Sequence, residues 1–144
     1  MILSTRSRYG LKMMLELALN YKDGSISLSK IADKQALSAT YLEQLISPLR
    51  NNGLVKGIRG SKGGYVLSKN PKDITVGEII RILEGPLAPS ECLLDEEEYE
   101  CINADNCATR LIWLKISESI NNVIDSITLD DMVNDFNKLN LNKN

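Results

Sequence analysis

Three cysteines, Cys92, Cys101 and Cys107, fall close together as C-x8-C-x5-C, and they are the only cysteines of a 144-residue chain that contains no histidine. A thiolate is a soft ligand and a strong nucleophile. Such a group could therefore hold a metal centre, run thiol–disulfide chemistry, or consist of small apolar side chains with no task. The odd count and the absence of an export signal argue against a structural disulfide framework and raise the weight of metal or redox chemistry. Nucleophilic catalysis is disfavoured, so the chain is not read as an enzyme: no imidazole is available to activate a thiol, and none of the three has the Gly-rich or helix-start setting that lowers a thiol pKa. The acidic residues around them could suggest a hard-cation site, but an acidic run is more often a solvated face, and calcium or magnesium is not expected.

What positions these residues can be read from the apolar periodicity on either side. Leu11, Met14, Leu15 and Ala18 mark a helix over Ser7 to Tyr21, stopped by "KDGS"; a short helix over Leu28 to Gln35 turns Leu28, Ile31 and Ala32 inward. Ser38 is a good N-cap for a third helix ending near Asn51, with Gly53 as its stop. In that helix Leu42, Leu45, Ile46 and Leu49 form an apolar stripe, while Thr40, Glu43, Gln44 and Ser47 line another side. Pro48 lacks the amide for the Gln44 carbonyl, so a bend or loosened turn is expected there. Strand-like runs at Val55 to Ile58 and Tyr65 to Leu67 flank a Gly-rich turn carrying Arg59 and Lys62, which reads as a hairpin. Thr75 to Glu78 is a capping box opening a helix to about Leu83, and the prolines of "EGPLAPSE" end it. Beyond the cysteines, a long helix from about Asp105 to Ser126 carries Trp113, Ile116, Ile120, Val123 and Ile127 at heptad spacing. That stripe suits either core packing or a partner chain; a helix of about 20 residues spans some 30 Å, more than a domain this small readily covers, which favours a partner. A last helix, Leu129 to Leu139, presents Leu129, Met132, Val133 and Phe136, and "NLNKN" is expected to fray.

Two helices joined by a tight turn and followed by a hairpin make a winged helix-turn-helix. The expected fold is mainly α with a small β-hairpin wing, in three parts: residues 1–84 as the winged helix-turn-helix, 85–107 as the cysteine loop, and 108–144 as a dimerisation helix and C-terminal helix. Charge separates the same way. Residues 1–72 hold twelve Lys/Arg against four Asp/Glu, and the remainder five against fifteen, beneath a formal net charge of -2. The basic half suits a polyanion. No stretch is long and apolar enough to span a bilayer, and the chain is read as cytoplasmic. Together these features point to duplex DNA. Thr40, Glu43 and Gln44 could read base edges in a major groove, with Ser38 and Tyr41 beside them. Arg6, Arg8, Arg50, Lys56, Gly60 and Lys62 would approach phosphates, and Arg59 a phosphate or the minor groove.

The segments "LSTRSRYGLKMMLELA", "LSATYLEQLISPLRNNGLVKGIRGSKGGYVLS" and "ITVGEIIRILEGP" strongly resemble the Rrf-two family of bacterial winged-helix regulators, along nearly the whole chain. The resemblance implies a homodimer with crossed long helices on a pseudo-palindromic operator in double-stranded DNA. It also implies DNA-reading roles for the positions of Glu43, Gln44 and Arg59, with Glu43 telling operator classes apart. In iron–sulfur members three cysteines precede the dimer helix, as Cys92, Cys101 and Cys107 do, which implies a cluster of the 2Fe–2S type and control of iron–sulfur or sulfur metabolism. The chain departs from those members at the fourth ligand: Arg110 stands where some carry a histidine, and Arg8 where others carry an aspartate. Glu100, Asp105, another carboxylate, an external thiol, water or a three-ligand cluster remain open. Other segments, "SPLRNNGLVKGIRG", "IRILEGPLAPSE" and "DSITLDDM", are similar to cluster-free members that repress cysteine-metabolism genes with cysteine synthase as partner.

Overall fold

The computed structural model describes residues 1–94 and 101–143. Among these residues six α-helices and one antiparallel hairpin follow in order: α1 (Thr5–Leu19), α2 (Leu28–Gln35), α3 (Ala39–Asn51), β1 (Val55–Ile58), β2 (Gly64–Leu67), α4 (Val76–Glu84), α5 (Ala108–Ser126) and α6 (Leu129–Leu141). The strands pair from Val55 with Leu67 to Ile58 with Gly64, so the fold is the mainly helical, winged one expected. No helix among the described residues is long and apolar enough to cross a membrane.

Side-chain caps set most of the boundaries by satisfying amides that the first helical turn leaves open. Ser4, Ser27 and Ser38 accept from Arg6, Lys30 and Tyr41 amides at the starts of α1, α2 and α3. Reciprocal capping boxes open α4, through Thr75 and Glu78, and α6, through Thr128 and Asp131.

The core gathers one face from each element of the N-terminal half. Met13, Met14 and Leu17 of α1, Ile31 of α2, Leu42, Leu45 and Leu49 of α3, and Ile79 of α4 are fully or almost fully removed from solvent. Leu129 of α6 joins them, so the C-terminal helix closes over the winged-helix body. Burying one such side chain stabilises by roughly 1.5–3 kcal/mol, which makes this cluster the main reason the body holds together. Glu16, also buried, accepts from Gln35 Nε2 at 2.7 Å and pairs with Lys34 at 3.5 Å, tying α2 to α1 through a carboxylate that is paired rather than stranded.

Helix α3 ends at Asn51, as expected, with Pro48 in its last turn, where Asn52 donates to the Pro48 carbonyl through both its amide (3.1 Å) and its Nδ2 (2.8 Å). Other boundaries differ from the sequence expectation. Helix α5 starts at Ala108, not Asp105, since residues 104–106 form a separate 3₁₀ turn. Helix α6 runs on to Leu141, past the expected fraying point.

The wing is tied to the body. Ile26 and Tyr65 exchange backbone hydrogen bonds of 3.1 and 2.9 Å, which adds a bridge from the segment before α2 to strand β2. Gly64 allows this approach, since a Cβ there would lie 2.3 Å from the Ile26 carbonyl oxygen.

Candidate nucleic-acid interface and cysteine cavity

Helix α3 has two faces because its apolar positions recur at helical spacing. Leu42, Leu45, Ile46 and Leu49 are buried, and Thr40, Glu43 and Gln44 are exposed. Tyr41 lies between: its hydroxyl is 3.1 Å from Thr5 Oγ1 and its ring meets Tyr9 edge-on with centroids 5.9 Å apart. These contacts fix the N-terminal end of α3 against α1. Ser38 serves as N-cap of α3 and remains exposed. A groove of about 470 Å³ separates α3 from the wing root, bordered by Ser29, Glu43, Ser47, Arg50 and Tyr65.

Arg50, Lys56, Arg59, Gly60 and Lys62 are all exposed. The hairpin thus extends the basic surface beyond the end of α3. Arg8 stands over the Tyr9 ring at 5.8 Å from its centroid. Arg6 is exposed but partly committed, since its Nε donates to the Leu83 carbonyl at 3.0 Å at the end of α4. Beside it, Glu84 accepts from the Ser4 amide at 2.7 Å and from the Ser4 hydroxyl. Burial pushes the Glu84 carboxyl up, but these bonds outweigh it and hold the group below the usual carboxylate range. We assign the anchoring to Ser4 rather than to Ser7, whose buried hydroxyl has no hydrogen-bond partner among the described residues.

Cys92, Cys101 and Cys107 line one cavity of about 440 Å³, together with Asp105, Arg110 and Trp113. Ser90 Oγ lies 3.2 Å from Cys92 Sγ. Cys107 corrects an expectation: it is the N-cap residue of α5, a helix-start setting that the sequence did not suggest. Its thiol is held below the ordinary range, chiefly by Thr109 Oγ1 at 3.1 Å and then by the Arg110 amide; slight desolvation opposes this, and the Thr109 amide and Arg110 charge add to it. The donor chemistry suits an iron–sulfur group, for which thiolates are the usual protein ligands. Among the described residues no three His, Cys, Asp or Glu side chains stand close enough to grasp an ion. No fourth cysteine and no histidine exist to complete such a set. Asp105 is exposed on the cavity wall, whereas Glu100 lies outside the described residues.

The expected dimer stripe divides. Ile116 and Val123 are exposed, and Ile120 and Ile127 are half-buried. Trp113 is half-buried on the cysteine cavity, and its neighbour Ile112 is exposed. The sequence reading missed a polar row of α5, where Ser117, Asn121 and Asp125 lie four residues apart and the last two meet α4: Arg81 Nη1 donates to Asn121 Oδ1 at 2.9 Å, and its Nη2 pairs with Asp125. The signal was present as an i, i+4, i+8 polar row beside the apolar stripe.

Comparison with known proteins agrees with this arrangement. The family described as "Rrf2: Iron-dependent Transcriptional regulator" matches residues 3–135. The HTH-type transcriptional regulator CymR of Bacillus subtilis is 51% identical over 132 residues, covering 92% of this chain and 89% of that protein. The solved structure of CymR, the global cysteine regulator of B. subtilis, superposes with a TM-score of 0.80 at 46% identity, over 93% of this chain and 97% of the other. That of T. potens IscR gives 0.77 at 44%, over 94% and 88%. A match across nearly the whole chain, in sequence and in fold, places this protein in the Rrf2 family of transcriptional regulators.

Proposed function

We propose that the chain works as a homodimer on a pseudo-palindromic operator in double-stranded DNA, with an affinity set by an iron–sulfur cluster held by Cys92, Cys101 and Cys107. The observation that carries this reading is that all three thiols line one cavity at the start of α5. When bound, the cluster would supply a group sensitive to iron supply and to oxidation. The chain's own residues do the rest. Thr40, Glu43 and Gln44 enter a major groove, where Gln44 suits adenine N6/N7 and Glu43 accepts from cytosine N4. Arg50, Lys56 and Lys62 hold phosphates, and Arg59 reaches along the wing. Two such heads act on successive turns, about 34 Å apart, when α5 pairs with its counterpart in a second copy.

Anaerobic reconstitution with iron and sulfide tests the reading. A brown protein whose visible absorption disappears in Cys101→Ala, and whose operator affinity changes on loading, is the expected result. A second reading is favoured by the 51% identity to B. subtilis CymR: a cluster-free repressor of cysteine metabolism that acts with cysteine synthase. Colourless, iron-free protein that retains operator binding and forms a complex with cysteine synthase would select it.

A further inference from the structure

None of the residues of α5 is fully buried; Leu114, Ile120 and Ile124 are half-buried, so its apolar hold on its own body is looser than that of the core helices. Beside this packing runs a polar seam with α4, the two helices lying antiparallel. At one end the backbone makes a firm junction: the Val76 amide donates to the Ile127 carbonyl at 2.8 Å, and the Leu129 amide to the Ile74 carbonyl at 2.9 Å. At the other, Ser117 Oγ donates to the Leu87 carbonyl at 3.3 Å, at the entry to the cysteine loop. Between them Arg81 spans Asn121 and Asp125. Asn121 Nδ2 in turn donates to the Ser117 carbonyl at 2.8 Å, so the row is braced along its length.

We propose that Arg81 is a positioning residue for operator recognition: through Asn121 and Asp125 it sets the angle between the DNA-reading body and α5, and hence the half-site spacing that a dimer accepts. This rests on the reading above that α5 joins two copies. A helix of 19 residues is a lever of about 28 Å pivoting near Ile127, so a small change at the brace displaces a reading head far from the joint. Stability is not the brace's main contribution. The Arg81–Asp125 pair is about 36% and 46% exposed, a setting in which ion pairs add little to stability. Gly77, one turn before Arg81, is built for the contact. A Cβ there would fall 1.9 Å from Asp125 Oδ1 and 2.8 Å from Arg81 Nη2, both ends of flexible side chains. Gly77→Ala therefore pushes the carboxylate off the guanidinium while leaving the backbone of α4 in place. α4 in turn packs against α1 and α3, so the brace is one helix removed from the reading face.

The test uses the full-length chain and an operator selected from random duplexes, compared with a copy carrying one extra base pair between its half-sites and with a single half-site. Wild type is expected to prefer the native spacing by about tenfold, and Arg81→Met and Gly77→Ala to reduce that preference to about threefold or less, with unchanged affinity for the single half-site. A residue that only stabilises the fold would weaken binding to both full operators equally; that outcome, or an unaltered ratio in a folded Arg81→Met dimer, overturns the proposal. Lack of any spacing preference in dimeric wild type also overturns it. Sedimentation of the wild type separates the two readings: a monomer removes the dimer and the brace together, whereas a dimer with an unaltered ratio removes the brace alone.

Discussion

Arg59 and Glu43 are both exposed and carry opposite charges, and that contrast defines what each can do. A guanidinium on an exposed hairpin tip is attracted to any phosphate, so its contribution is largely independent of sequence and screened by salt. A carboxylate near a polyanion is repelled everywhere except opposite an exocyclic amine. Arg59→Ala is therefore expected to weaken binding to all duplexes alike and to reduce the slope of log affinity against log salt by about one, read from titrations at several salt concentrations. The exposure of Glu43 was legible in the sequence because polar residues flank an apolar stripe at helical spacing in α3, and that of Arg59 because it falls in a Gly-rich turn. Arg6 was legible only as a charge; its bond to the Leu83 carbonyl joins residues far apart in the chain, and no local pattern records it. Cys107 was likewise visible as a thiol but not as a helix cap, because the long helix was expected to begin two residues before it.

At the scale of elements, the latch between α1 and α4 links the basic N-terminal turn to the segment that leads into the cysteines. Glu84 is held ionised by Ser4, and a carboxyl whose pKa is depressed by folding adds stability that is complete above the unfolded value, about 4.3, and disappears as the pH falls through the folded one. Glu84→Gln should therefore cost about 1 kcal/mol at neutral pH, and its difference from wild type should shrink as the pH is lowered, as measured by urea unfolding over a falling pH series. A constant difference across that range would remove the charge from the explanation. Helix existence and most boundaries were legible, since Ser38, Thr75 and the glycine stops are local signals. Two features were not: the buried Glu16 tie to α2, which looks like any polar residue in a helix, and the capping box of Thr128 with Asp131, which let α6 start as expected but was hidden within an acidic stretch.

For the whole molecule, the separation of charge becomes a separation of tasks. The basic body offers the reading surface, and the acidic remainder supplies α5, whose Ile112, Ile116 and Val123 remain in solvent in a single chain. Apolar side chains in a row on a helix are covered in most folded proteins. Val123→Asp is expected to convert a dimer into monomers in sedimentation experiments and to lower operator affinity by at least about a hundredfold, because one head alone makes half the contacts. An unchanged dimer would move the interface elsewhere. The heptad spacing in the sequence marked this helix as the candidate for pairing, and the exposure of Ile116 and Val123 is compatible with that role. It could not assign faces, because Ile112 and Trp113 are adjacent in sequence and only the packing of α5 on α4 decides which of them turns to the cysteine cavity.

The exchange of amide bonds between Ile26 and Tyr65 has a consequence for how such a protein can diversify. With its root clamped to the segment before α2, and with the Lys62 carbonyl accepting from Ser25 Oγ at 2.6 Å, the hairpin cannot change its tilt without breaking these contacts, but residues 59–61 at its tip lie outside them. Extra residues inserted there would lengthen the reach along the duplex while the approach of α3 stays as it is. Altering reach and altering approach are thus separable in this molecule, one by changes at the tip and the other by changes at the helices.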